Sequence, residues 1–152
     1  WEFLPAGSGL AHVHLAQWQP AALARPEGEQ ALWTRLFELR QRVLPALEKA
    51  RQDKLIGKAL EARVGLAGTD PLLAEAQAHA AALQELLNVS QLVIQAGQGT
   101  EACHVTVAKA SGHKCDRCWH WEEDVGRVAA HPALCGRCVE AVQQWQAAQP
   151  GR

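Results

Sequence analysis

The chain has 152 residues, enough for one ordinary domain or two small modules. An apolar share of 48% permits a buried core, and a net charge of −1 does not by itself mark a nucleic-acid binder, though a global average can hide a local basic field. Alanine and leucine supply most of the apolar surface, tyrosine is absent and aromatics are 5%, which argues for helices and against an all-β sandwich.

No run of about 18 apolar residues occurs, so an ordinary membrane span is excluded. The opening at Trp1 lacks the charged-then-apolar order of a signal peptide. It reads as a start in mid-pattern, as expected of a piece of a longer protein.

Residues 1–28 are broken by Pro5, Gly7, Gly9, Pro20, Pro26 and Gly28, too dense for a packed element, and read as a linker or edge. His12 and His14 within them have a spacing compatible with metal binding, but a partly exposed turn is the simpler reading. From Glu29 to about Arg51, Leu32, Leu36, Leu39, Val43 and Leu47 recur at three and four, with Trp33, Phe37 and Leu44 widening the stripe. That spacing predicts an amphipathic helix. Pro45 inside it removes the bond to the Gln41 carbonyl and predicts a kink or break.

Residues 29–63 hold eight basic side chains against five acidic ones. The excess reads as a solvated face with pairs such as Glu38–Arg42, or as a contribution to phosphate attraction. Gly57 ends the helical pattern, and Leu60 to Leu66 predicts a short strand. Asp70 reads as an N-cap with Pro71 at the first position of a helix from about Leu72 to Leu87. Two β-type runs follow, Leu92–Ile94 and His104–Val107, separated by Gly97 and Gly99. Together these predict an α+β layer of a kinked amphipathic helix and a second helix on a small sheet. There are no internal repeats.

From Lys109 onward apolar periodicity gives way to cysteine spacing. Cys115-x2-Cys118 is followed after sixteen residues by Cys135-x2-Cys138. Two residues between thiols let a tight turn place both sulfurs about 2.3 Å from one ion, and two such knuckles complete a tetrahedron. The spacer suits a zinc-ribbon hairpin, so one structural Zn²⁺ is expected on Cys115, Cys118, Cys135 and Cys138.

Four thiolates close the shell and leave no place for a substrate. A redox pair would occur once, at a helix start. An iron site could use the same thiolates and is excluded only by context. Lys114, Arg117 and Arg137 can offset the cluster's charge, and the N–H groups of Arg117, Cys118, Arg137 and Cys138 are expected on the sulfurs.

His113, His120 and His131 surround the site but are read as outside the shell. Trp119, beside Arg117, is either a platform for an unpaired base or the large core residue of the hairpin. Cys103 reads as an ordinary buried thiol, and free thiols fit a reducing compartment.

The block Lys114-Cys115-x-Arg117-Cys118-Trp119, then Val125-Gly126, then Cys135-Gly136-Arg137-Cys138-Val139 resembles the zinc finger shared by bacterial isoleucyl-tRNA synthetases and formamidopyrimidine-DNA glycosylases. Upstream, Trp33, Leu36, Arg40, Val43, Leu47-Glu48, Ala50-Arg51, Lys54, Ile56-Gly57 and Leu60-Glu61-Ala62 are similar to the synthetase's helix after the anticodon domain and the strand beyond it. Val13-His14-Leu15 with Trp18 is similar to the end of its anticodon-binding helical domain. Pro45 departs from the family pattern, and no HIGH-like or KMSKS-like signature is present.

The resemblance implies the carboxy-terminal, anticodon-side part of a cytoplasmic, monomeric ligase that attaches isoleucine to its tRNA with ATP. Its ATP, Mg²⁺ and catalytic residues would lie in the rest of the synthetase chain, leaving no catalytic residue here. It also implies Arg117, Trp119, Lys114 and Arg137 as contacts to the anticodon stem-loop of isoleucine tRNA. The implied layout is 1–28 end of the helical domain and linker, 29–108 α+β junction domain, 109–146 zinc finger and 147–152 tail. Two alternatives stand beside it: a zinc-ribbon protein-interaction module, and the DNA-binding end of a glycosylase-like repair enzyme.

Overall fold

A computed structural model describes Val13–Leu15, Gln17 and residues 26–148. His12, Trp18, the breakers before Pro26 and residues 149–152 lie outside the described residues. The chain divides into two units at Gln30. In the first, Val13–Leu15 forms a 3-10 turn with His14 exposed, and Glu29 N–H donates to Pro26 O at 3.2 Å.

The second unit holds nearly all of helix α1, Glu29–Gln52. Leu36, Leu39, Val43, Leu47 and Ala50 are its buried residues, as the three-and-four spacing requires. Trp33 and Phe37 do not widen the stripe and stand exposed. The expected break at Pro45 does not occur, because α1 runs through it. Pro45 forfeits one backbone bond, while Leu39 and Val43 before it and Leu47 and Ala50 after it are anchored in one core. The helix stops instead at Lys54, whose φ of 58° is left-handed. Lys54 N–H donates to Arg51 O at 3.0 Å and Leu55 N–H to Ala50 O at 2.9 Å, a cap usually built on glycine.

A 3-10 turn, Ala59–Glu61, leads into strand β1, Ala62–Gly68, two residues later than the sequence suggests. Asp70 caps α2 (Pro71–Ala78) by accepting from Leu72 N–H at 2.9 Å, as expected. The expected single helix is two, with α3 at Ala80–Leu87 and His79 between them in a non-helical conformation. The alanine-rich run holds no local breaker, so packing imposes the bend: Leu73 and Leu83, one on each helix, are both fully buried in the common core.

Strands β2 (Gln91–Ala96) and β3 (His104–Lys109) complete a sheet of order β2-β1-β3. β1 pairs parallel with β2 across the helical crossover and antiparallel with β3. Val64 and Leu66 meet Leu92, Ile94, Val105 and Val107 on the helix-covered face.

The basic excess on α1 is largely answered within the chain. Arg35 pairs with Glu75 at 2.5 Å, and Arg40 donates to Leu86 O at 3.3 Å. Arg42 pairs with Asp70 at 2.5 Å rather than with Glu38, because Asp70 is already fixed by its capping bond. Among the described residues no helix is long and apolar enough to cross a membrane.

Candidate metal centre and the residues around it

Beyond β3 the chain turns at Gly112, whose φ is +87° and where a Cβ would fall 2.3 Å from Glu122 O, so only glycine fits. Strands β4 (His113–Lys114) and β5 (Trp121–Glu122) then pair as a minimal hairpin, with Lys114 opposite Trp121. The first knuckle lies between them. Cys115 N–H donates to His120 O at 2.8 Å, and Trp119 N–H to Cys115 O at 2.9 Å. Trp119 closes this turn with a left-handed φ of 65°, rare for a large side chain.

The second knuckle opens a helix that cysteine spacing did not reveal, α4, Gly136–Ala147. Cys135 is its N-cap and Cys138 lies in its first turn, so both sulfurs sit at the positive end of the helix dipole. Asp124 accepts from Gly136 N–H at 2.9 Å and fastens this helix start to the hairpin. Helical spacing does resume there, with Val139 buried and Val142 half-buried, a faint sequence signal of α4.

The four sulfurs lie within 4.8 Å of one another, and those of Cys118 and Cys135 are 3.7 Å apart. Sulfurs about 2.3 Å from a central zinc would be separated by ~3.8 Å, so this cluster fits the ion. Cys115, Cys135 and Cys138 form one buried cluster, with Cys118, Val125 and Leu134 packed against it, and Val139 and His120 are the other buried residues described in the finger. No disulfide links them.

Burial works against the Cys115 thiolate, but N–H groups of Cys118, Cys135 and Arg117 outweigh it and bring the thiol down to about 6. Of these, Cys135 N–H stands 3.4 Å from the sulfur. Burial pushes Cys135 up to about 12 and also raises Cys118. The thiols therefore resist ionising together, and a divalent cation is what would offset that cost. His120 N–H adds to these on the Cys118 sulfur, and Cys138 N–H on that of Cys135.

The sequence-predicted contact residues occupy different positions. Arg117 is exposed, with Nη1 at 3.5 Å from Cys138 Sγ. Trp119 is 59% exposed and is not the core of the hairpin. Lys114 Nζ lies 5.9 Å from its ring centroid. Arg137 reaches back to Glu85 on α3 at 3.0 Å and is held firmly charged by the Cys118 sulfur and that carboxylate. His113 is exposed and His131 half-buried; His120 is buried, with Nδ1 unpartnered among the described residues. The metal-ligating group found among the described residues comprises the four cysteines and no histidine. Cys103 is only half-buried.

Residues 112–141 match the family model described as the zinc finger found in FPG and IleRS. The isoleucine–tRNA ligase of Exiguobacterium sibiricum is 41% identical over 149 residues, which is 93% of this chain and 16% of that protein. Those of Geobacter sulfurreducens and Sodalis glossinidius are 34% and 36% identical, covering 94% and 93% of this chain and again 16% of each protein. The chain thus spans 16% of the length of the curated relatives it matches. Residues 112–141 are thus similar to the finger found in FPG and IleRS, and over nearly its whole length the chain is similar to a stretch of the isoleucine–tRNA ligases.

Proposed function

We propose that this chain is the carboxy-terminal, anticodon-side tRNA-binding part of an isoleucine–tRNA ligase. Its finger, closed around one structural zinc, offers Trp119 to an unpaired base of the anticodon stem-loop. The observation that carries this reading is the exposed Trp119 ring, with Lys114 Nζ 5.9 Å from its centroid and Arg117 on the same knuckle. An exposed indole with a lysine amine near its ring suits base stacking and phosphate attraction together. Arg137, paired with Glu85 and more than half exposed, is a further candidate contact on the finger.

In this reading the parent protein is a cytoplasmic, monomeric enzyme that joins isoleucine to its tRNA. ATP and Mg²⁺ act in the rest of the synthetase chain, and this part binds without catalysing.

A gel-shift of the chain against isoleucine tRNA and an abasic-site duplex, at two salt concentrations, tests the proposal. Binding to the tRNA that weakens as salt rises is expected. Tight duplex binding indifferent to tRNA would indicate a repair enzyme's DNA-binding end. Binding to neither would indicate a protein-interaction module.

A further inference from the structure

The finger meets the α+β layer across a cavity of about 260 Å³ lined by Lys58, Leu60, Glu61, Lys114, Trp119 and Trp121. The first three belong to the segment leading into β1 and the last three to the finger. Behind the cavity stands Ser90, 2% exposed, just before β2. Its hydroxyl donates to Leu60 O at 2.5 Å and accepts from Trp121 N–H at 2.7 Å. One small group therefore ties a residue of the layer side to a residue of the finger side. Its own backbone is held in turn, since Gln84 Nε2 donates to Ser90 O at 2.7 Å.

A hydroxyl can serve a carbonyl and an N–H at once. No aliphatic side chain of similar size can. The other polar ties between finger and layer are exposed and worth little: Arg137–Glu85, and the chain from Gln91 through Ser111 to Glu123. Of these ties, the one through Ser90 is the most shielded from solvent.

Resting on the tRNA-binding reading, we infer that Ser90 is a positioning residue for the Trp119 platform. Its hydroxyl sets the separation of finger and layer, so that Trp119 and Lys114 face Lys58 at one distance. Affinity for RNA then depends on a side chain that never touches RNA.

The test uses the zinc-loaded full chain and Ser90→Ala, following amide hydrogen exchange, zinc content and affinity for isoleucine tRNA. Ser90→Ala should keep its zinc, lose about tenfold of the protection at the Trp121 amide, and bind the tRNA about fivefold more weakly. Ser90→Thr, which retains the hydroxyl, should restore both. Should Ser90→Ala fail to fold, the unmodified chain still decides: tRNA must slow exchange at Trp121.

Unchanged Trp121 protection in Ser90→Ala, unchanged affinity despite lost protection, or exchange at Trp121 indifferent to bound tRNA would each overturn the inference. If the unmodified chain binds no tRNA, the functional reading fails. The exchange at Trp121 still reports whether Ser90 holds the finger.

Discussion

The Nζ of Lys114 lies 5.9 Å from the centroid of the Trp119 ring, on strand and knuckle respectively, so an amine and an indole share one exposed edge of the finger. The left-handed backbone at Trp119 accompanies this outward placement. A side chain so exposed contributes little to the fold. Trp119→Ala should leave zinc content and thermal midpoint unchanged and weaken tRNA binding by ~1–3 kcal/mol, the worth of one stacked base. Titration of labelled tRNA alongside metal analysis checks it. Loss of zinc in this variant would mean that the indole holds the knuckle instead.

The finger's buried cluster is made of metal ligands, so removing a ligand breaks that cluster. Cys135→Ser should release the metal and unfold residues 112–148, while the layer built on Leu36, Leu39, Val64 and Leu73 persists. Zinc binding supplies ~10–16 kcal/mol in comparable small modules, far beyond what Val125 and Leu134 could replace. A strong chelator should give the same partial unfolding. Residue-resolved hydrogen exchange would show protection lost in the finger alone.

Asp70 joins α1 to α2 through Arg42 while capping α2. The Arg42 guanidinium, and then Leu72 N–H, hold its carboxyl below the ordinary 3.8. A carboxyl lowered in the folded state contributes stability above its unfolded value and loses that contribution as pH falls through the folded one. Asp70→Asn, which keeps a capping oxygen, should flatten the acid limb of the stability curve. Asp70→Ala should also cost about 1 kcal/mol at neutral pH through the lost cap. Urea melts across the acid range separate the two.

Pro45 sits in an exposed position of a helix that continues on both sides of it. Pro45→Ala restores an N–H for the Gln41 carbonyl and removes the ring's crowding. It should raise stability by about 1–3 kcal/mol without altering zinc or RNA binding. A denaturant midpoint that stays put would mean that the backbone has adapted to proline completely.

Two kinds of feature were legible in the sequence: those written in short spacings and those with strong local chemistry. Leu36, Leu39, Val43 and Leu47 announce a helix face and are buried together. Asp70-Pro71 announces a helix start, and the paired Cys-x2-Cys knuckles announce the metal cluster, because each needs only nearby backbone.

The remaining features depend on tertiary context. Trp33 and Phe37 are as apolar as Leu36, yet composition cannot say which edge of a broad stripe meets the core. Helix α4 has only Val139 and Val142 as a short apolar repeat, too little to mark a helix beside the cysteine knuckle. Lys54 in a glycine-like cap follows no residue preference. Ser90 joins partners 30 and 31 residues away, a relation visible only after folding.

X-ray absorption at the zinc edge of the purified chain addresses the metal cluster on which all of this is built. One zinc per chain with four sulfur neighbours at ~2.3 Å is the predicted result. A chain without zinc, its cysteines joined as disulfides, or a shell containing nitrogen from His113, His120 or His131, would contradict it.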